Sequence, residues 1–145
     1  TAYEIVFGDW SSDVCSSVYA AEWAGCAPVI VPVLDAKRSR FFYAVYEAGR
    51  RVLGPFDDGE QSIIERVGGF PEVLFVGPDA EMLDAAASDR SGFRIAAAGR
   101  RAPTGSLVEL AVQRYRAFSA AAADASPEYL RASDAEEAAA QGQHG

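Results

Sequence analysis

The sequence predicts one α/β domain in which three β-strands are followed by alternating helices and strands. Apolar runs of strand length occupy the first half, and the apolar period becomes helical near residue 57. Turns that contain Gly or Pro separate the elements. The chain has 145 residues, of which 50% are hydrophobic and 23% are charged. It is therefore long enough for a single packed core.

The first half of the ordered chain predicts an antiparallel sheet. Residues 19–25 (YAAEWAG) place Tyr, Ala and Trp at helical spacing and end at a glycine. Residues 29–34 (VIVPVL) are continuously apolar and residues 40–47 (RFFYAVYE) are aromatic and β-branched, so both predict strands. The turn at 48–50 is so short that the third strand, which begins at Arg51, must run antiparallel to the second.

The second half predicts an alternation of helices and strands. Residues 57–67 begin with acidic residues, carry their aliphatic side chains on one face and precede two glycines, which is typical of an amphipathic helix. The remaining predicted elements are a strand at 73–76, a helix at 80–87 capped by Asp79, a weaker strand at 93–97 and a long helix at 105–122. The order βββαβαβα matches the ribonuclease H-like arrangement, a mixed five-stranded sheet with helices on both faces.

Composition and charge exclude several functional classes. A net charge of −8 argues against a protein that binds nucleic acid by itself, because phosphate binding needs clustered Lys and Arg. No apolar run approaches the roughly 18 residues of a membrane span, and the N-terminus lacks the pattern of a secretory signal. Two cysteines and one histidine, His144, are too few for a disulfide scaffold, a zinc site or a His-dependent nucleophile. We expect a cytoplasmic protein without metal, cofactor or membrane association.

The two ends of the chain differ in character from the segment between them. Residues 7–17 (FGDWSSDVCSS) have no clear period and resemble a translated sequencing adapter. We therefore expect residues 1–18 to be foreign to the fold and the lobe to span residues 19–132. Residues 133–145 are rich in Ala, Glu and Gln, and we expect them to form a flexible tail.

Four carboxylates stand where a metal-dependent nuclease on this fold could use them. Asp35 follows the first predicted strand, Glu65 lies on the first helix, Asp79 follows the fourth strand and Glu109 lies on the last helix. Two-metal hydrolysis needs several carboxylates that converge at one end of the sheet. The favoured alternative is structural: a turn cap, a helix cap and two solvated helix faces in an acidic chain that lacks a basic track for its substrate.

Two further patterns are weak signals of binding. The dipeptides Gly68-Gly69 and Gly77-Pro78 match no phosphate-binding motif and are better explained as the ends of a helix and a strand. Lys37, Arg38 and Arg40 precede three aromatic residues, a combination that could contact phosphates and stack on bases. We favour a hairpin instead, because alternation along a strand divides the aromatic side chains between two faces.

Two short motifs resemble the TsaB (YeaZ) family. Residues 33–38 (VLDAKR) are similar to the family's strand that ends in Asp-Ala-Arg-Arg, and Tyr43 and Tyr46 fall in its tyrosine-rich second strand. Residues 127–131 (PEYLR) are similar to the family's Pro-x-Tyr-Leu-Arg signature near the C-terminus. The resemblance covers about residues 19–137, with both motifs in the family's order.

The resemblance implies the second, C-terminal lobe of a two-lobed, actin-like protein of the glycoprotease-like superfamily. Members are non-catalytic subunits of the complex that makes threonylcarbamoyladenosine in tRNA. They pair with the catalytic paralogue TsaD, are joined by the ATPase TsaE and reach tRNA only through the complex. The motifs of the family's first lobe do not occur in this chain. The resemblance thus implies a fragment, in which an uncovered lobe interface would favour self-association.

The resemblance assigns no catalytic residue. It singles out six motif positions, namely Asp35, Lys37, Arg38, Tyr129, Leu130 and Arg131. A functional interpretation makes them contacts to a partner or to tRNA. The alternative, which we favour, is that the first three fix a turn, that Tyr129 and Leu130 anchor the C-terminal segment, and that Arg131 pairs with an acid. Lys37 replaces the family's usual Arg, which keeps the charge and loses the bidentate geometry.

Overall fold

A computed structural model of the chain describes residues 12–97 and 104–118. The elements are, in order, α1 (Ser12–Glu22), β1 (Val29–Lys37), β2 (Arg40–Glu47), β3 (Arg50–Gly59), α2 (Glu60–Val67), β4 (Val73–Gly77), a 3₁₀ helix (Ala80–Leu83), α3 (Asp84–Ala87), β5 (Phe93–Ala97) and α4 (Thr104–Phe118). From β1 onward this sequence of elements is the predicted βββαβαβα. None of the helices in these two ranges is long and apolar enough to cross a lipid bilayer.

The five strands form one mixed sheet in the order β3-β2-β1-β4-β5. The first three strands pair antiparallel, whereas β4 pairs parallel to both β1 and β5. All five residues of β4 are buried, as a parallel strand with helices on both faces requires. The predicted ribonuclease H-like sheet is therefore confirmed.

Apolar side chains on both faces of the sheet form two core clusters. On one face, alternate residues of the central strands pack against α2, the 3₁₀ helix and α3; this cluster includes Val31, Val33, Tyr43, Ile63, Phe75 and Leu83. On the other face, Ile30, Tyr46 and Leu74 pack against Tyr19 and Ala20 of α1. Helix α4 in turn contacts α1. The prediction of helices on both faces is thus confirmed.

Strand β3 is longer than the sequence predicted. It continues to Gly59, and α2 begins at Glu60 rather than at Asp57. Asp57 and Asp58 resemble the acidic first turn of a helix, but they belong to the β2–β3 ladder. Their carboxylates have partners on β2 and α2, which hold the strand in register beyond the point where its apolar pattern ends.

Helix α1 begins earlier than predicted. Regular structure was expected from Tyr19, but α1 starts at Ser12 and residues 16–18 are buried. The Ser16 Oγ lies 3.1 Å from the Tyr46 hydroxyl, inside the core. The same hydroxyl donates to the Ser17 Oγ at 3.3 Å, so Tyr46 satisfies both buried serines and the segment packs without an apolar period.

The expected boundary at residue 18 therefore falls inside a packed helix. That residues 1–18 are foreign to the fold stays a prediction. Residues 1–11 and the expected tail at 133–145 lie outside the described residues.

Gly77 lets β4 end in close contact with β1. Its φ of +115° lies in a region that L-residues rarely adopt. A Cβ atom at this position would lie 2.6 Å from the carbonyl oxygen of Val33. The Gly77-Pro78 dipeptide is thus explained by the close approach of the two central strands.

We predict that Gly77→Ala lowers the free energy of unfolding by about 2–5 kcal/mol, since it adds both backbone strain and a clash with the main chain of β1. Gly69→Ala is the matched control, because a Cβ there would meet nothing within 4 Å. We expect the control to change stability by less than about 0.5 kcal/mol. Urea unfolding followed by circular dichroism measures both variants, and equal effects would contradict the explanation.

Candidate functional site

A group of charged residues lies at one edge of the sheet. Strands β1 and β4 run parallel and end there, where β2 also begins and β3 ends. We call this the carboxyl edge; in open α/β sheets it is the usual place for ligands. Its charged residues are Asp35, Lys37, Arg38, Arg40, Asp57, Asp58 and Asp79.

Asp79 connects the loop after β4 to the end of β1. Its Oδ2 accepts a hydrogen bond of 2.9 Å from the backbone N–H of Asp35. The prediction that the Asp79 side chain caps the following helix was wrong, because that side chain makes no capping hydrogen bond. The backbone carbonyl oxygen of Asp79 instead accepts a hydrogen bond from the N–H of Met82, in the first turn of that helix.

Asp35 organises the turn between β1 and β2. Its Oδ1 accepts from the backbone N–H of Lys37 at 2.7 Å, and its Oδ2 pairs with the Lys37 Nζ at 2.8 Å. Lys37, Arg38 and Ser39 all have φ between +55° and +68°. Such a run of left-handed residues is costly without glycine, so the Asp35 contacts help to hold this turn in place. The structure thus brings Asp35 and Lys37 together, with Arg38 exposed at the tip of the turn.

Arg40 and Asp57 form the next ion pair along the edge. The Arg40 Nε lies 2.8 Å from the Asp57 Oδ1, and the Arg40 Nη2 donates to the Asp57 carbonyl oxygen. The Asp57 side chain is only 5% exposed. Its Oδ2 is buried without a hydrogen-bond partner. Arg40 is therefore the group that compensates the burial of this carboxylate.

Tyr43, Asp58 and Arg66 form a polar cluster that the sequence analysis missed. The Tyr43 hydroxyl donates to the Asp58 Oδ2 at 2.8 Å and accepts from the Arg66 Nε at 2.7 Å. The Arg66 Nη2 also donates to the same Asp58 oxygen at 3.0 Å, and its guanidinium lies 4.0 Å from the centre of the Phe56 ring. The sequence analysis assigned Asp58 to a helix. The cluster could have been predicted only if β3 had been extended to Gly59, because that extension places Asp58 on the same face as Tyr43.

The Tyr43 phenol is held in its neutral form. Burial raises the pKa of Tyr43 well above its ordinary value near 10, and the hydrogen bond to Asp58 raises that pKa further. The phenol therefore remains a hydrogen-bond donor to Asp58 and an acceptor from Arg66. Its pKa lies too far above neutral pH for it to transfer a proton there.

The four carboxylates of the nuclease hypothesis do not converge. Glu65 is exposed on α2 and accepts a hydrogen bond from Gln61 at 3.2 Å. Glu109 is exposed on α4, on the opposite side of the sheet, and accepts from Gln113 at 3.5 Å. Only Asp35 and Asp79 come together, so the geometry agrees with the structural interpretation of these four carboxylates that the sequence already favoured. Within residues 12–97 and 104–118, no three His, Cys, Asp or Glu side chains form a group that could hold a metal ion.

The second group of motif positions cannot be placed. Tyr129, Leu130 and Arg131 lie outside the described residues, so their interpretation as a contact surface or as an anchor stays a prediction.

Comparison with known proteins relates this chain to others through its fold. No protein-family model matches the sequence, and no curated protein matches it. Among solved structures, it is similar to the crystal structure of an uncharacterized protein from Pseudomonas aeruginosa that is described as similar to peptidase YeaZ. The TM-score is 0.58 and the sequence identity is 17%, over 80% of this chain and 56% of that one. The chain thus has a YeaZ-like fold and spans little more than half the length of that relative.

We predict that Ser39→Gly raises the free energy of unfolding by about 0.5–1 kcal/mol, because glycine adopts the φ of +58° at this turn without steric cost. Ser39→Ala is the control, since it keeps the Cβ atom and should leave stability within about 0.5 kcal/mol of the original. Thermal unfolding of both variants measures the difference. A gain of similar size in Ser39→Ala would show that backbone strain is not the cause.

We predict that Tyr43→Phe lowers the free energy of unfolding by about 1–3 kcal/mol at neutral pH, because it removes the hydroxyl that binds both Asp58 and Arg66.

The same variant should also change how stability depends on pH. Because the pKa of Tyr43 is higher in the folded state, the folded chain keeps a proton that the unfolded chain loses above pH 10. The stability of the original protein is expected to fall by up to about 1.4 kcal/mol per pH unit above pH 10 from this residue alone. Tyr43→Phe lacks that contribution. Identical slopes for the two proteins in denaturant titrations at pH 9–11.5 would contradict the assignment.

Proposed function

We propose that this chain is a non-catalytic, ribonuclease H-like lobe of a TsaB-type scaffold subunit in the complex that makes threonylcarbamoyladenosine in tRNA. Its partners are a TsaD-type catalytic paralogue and a TsaE-type ATPase, and it reaches tRNA through that complex. The observation that carries the proposal is the position of the Asp-Ala-Lys-Arg motif, residues 35–38, at the carboxyl edge of a YeaZ-like fold.

The chemistry of the carboxyl edge favours a scaffold over a hydrolase. Three of its four acidic side chains are held by a basic neighbour: Asp35 by Lys37, Asp57 by Arg40 and Asp58 by Arg66. The fourth, Asp79, accepts from the backbone N–H of Asp35. A metal ion would have to displace an ammonium or guanidinium group from these oxygens, and that exchange costs most at Asp57, whose side chain is only 5% exposed. Such a network suits a surface that must keep its shape against a partner.

The turn between β1 and β2 is the part of this edge that a partner can reach. The Lys37 side chain is 79% exposed, and Arg38 is exposed beside it. The Asp35 contacts hold their backbone in a defined conformation, so little conformational entropy would be lost when a partner binds. Two basic groups on a rigid turn fit an acidic patch on a protein, or the phosphates of a tRNA that is bound elsewhere in the complex.

The proposal is tested in the organism that encodes the chain, where the gene is edited at its natural locus. Deletion of the coding segment for residues 19–118 is expected to lower the threonylcarbamoyladenosine content of total tRNA severalfold, as measured by liquid chromatography and mass spectrometry. Arg38→Glu should lower it in part. Arg50→Glu is the matched control, because Arg50 is an exposed arginine in the other β-hairpin, at the opposite edge of the sheet. Unchanged modification after the deletion would contradict the proposal.

A metal-dependent nuclease is the rival hypothesis from another class. Of its four carboxylates, Asp35 and Asp79 lie close together, and the hydrogen bond that joins them uses the backbone N–H of Asp35. Cleavage of RNA by the purified chain, dependent on Mg²⁺ or Mn²⁺ and lost in Asp35→Asn but not in Glu65→Gln, would support the nuclease. A third possibility, a stand-alone interaction domain, would be supported if the deletion leaves tRNA modification intact and no cleavage is found.

A further inference from the structure

A cavity of about 350 Å³ opens at the edge of the sheet opposite the carboxyl edge. It is enclosed by the end of α1, the loop that leads from α1 to β1 and the turn between β2 and β3. Among its lining residues are Ala20, Ala24, Ala27, Ile30 and Tyr46. Its volume lies in the range of pockets that hold a ligand. We call it the amino-edge pocket.

The amino-edge pocket is apolar. Its lining residues Ala20, Ile30 and Tyr46 belong to the core cluster on the α1 face of the sheet. Glu47 also lines the pocket, but it pairs with Val29, whose side chain belongs to the other face, so alternation along the strand directs the Glu47 carboxylate away. Among the described residues that line it, none therefore offers a charged group to the pocket. An apolar occupant fits, because a charged one would lose its hydration without gaining a partner.

The sequence after α4 contains one pair of large apolar side chains. Tyr129 is the only Phe, Tyr or Trp in residues 119–145, and Leu130 is the only Leu, Ile, Val or Met. Every other position in this range is Ala, Gly, Pro or a polar residue. A tyrosine suits a pocket that opens to solvent, since its ring can be buried while its hydroxyl stays at the opening.

The topology brings this segment to the amino-edge pocket. Strand β5 is parallel to β4 and therefore ends at the carboxyl edge, and only residues 98–103 separate it from α4. Helix α4 contacts α1, on the face where the pocket lies, and its 15 residues, about 22 Å, carry the chain back toward the opposite edge. Beyond Phe118, residues 119–128 can span up to about 33 Å, which is enough for Tyr129 to reach the pocket.

We propose that the C-terminal segment of this chain docks in the amino-edge pocket, with the Tyr129 ring against Ile30 and Tyr46 and its hydroxyl at the opening. The occupant is the same molecule, because the chain that leaves α4 supplies the matching side chain within reach. Burial of the ring supplies the attraction. The docked segment closes the amino edge of the sheet to other partners.

Thermal unfolding of the full chain tests the proposal in a double-mutant cycle. Tyr129→Ala should lower the Tm by about 4–8 °C, because a buried aromatic ring is lost. Tyr115→Ala is the matched control, since Tyr115 is 65% exposed on α4 and its truncation should shift the Tm by less than about 2 °C. Ala27→Leu fills the pocket from its wall. In that background, Tyr129→Ala should also shift the Tm by less than about 2 °C.

NMR locates the docked side chain directly. In the original protein we expect nuclear Overhauser contacts between the Tyr129 ring and the Ile30 methyl groups. Tyr129→Ala should also shift the amide signals of Gly25 and Gly49, which line the pocket, and leave those of α2 in place. The proposal would be overturned by the absence of these contacts or by an equal loss of Tm with and without Ala27→Leu. A Tyr129→Ala effect that grows with protein concentration would also overturn it, because the pocket would then hold the segment of a second copy.

Discussion

The parallel contact between β1 and β4 is the constraint on which the rest of the structure depends. These two strands form the centre of the sheet and carry the apolar residues of both faces. At their carboxyl ends, Gly77 allows the main chains to approach and Asp79 binds the backbone N–H of Asp35. That bond fixes the start of the β1–β2 turn and thereby the direction in which the second strand returns.

The polar groups at the carboxyl edge follow from this arrangement. Once β2 is in place, Arg40 and Tyr43 meet the acidic end of β3, and Arg66 joins them from α2. The edge is thus a set of paired charges, with one Asp57 oxygen left unpartnered, rather than a cavity with convergent carboxylates. Such an edge resists deformation and presents basic groups at a defined place, which are the properties of a scaffold surface.

Periodicity and turn chemistry were enough to predict the order of the elements, and the mixed sheet was predicted by matching that order to a known fold. Local patterns failed where a distant partner decides the conformation. Asp57 and Asp58 extend β3 because Arg40 and Tyr43 bind them, and the Asp79 carboxylate serves β1 rather than its own helix. In the candidate site, Asp35 and Lys37 could be predicted from a motif. The Tyr43 cluster could not, because it depends on β3 reaching Gly59, and the acidic residues before Gly59 resemble the first turn of a helix.

The measurement that tests this account most directly is amide hydrogen exchange at Asp35, followed by NMR in the original protein and in Asp79→Ala. If the Asp79 carboxylate anchors β1, exchange at Asp35 should accelerate about tenfold or more in the variant, while amides in the centre of β2 keep their protection. Unchanged exchange at Asp35 would contradict the account, because the two central strands would then be held together at this edge without Asp79.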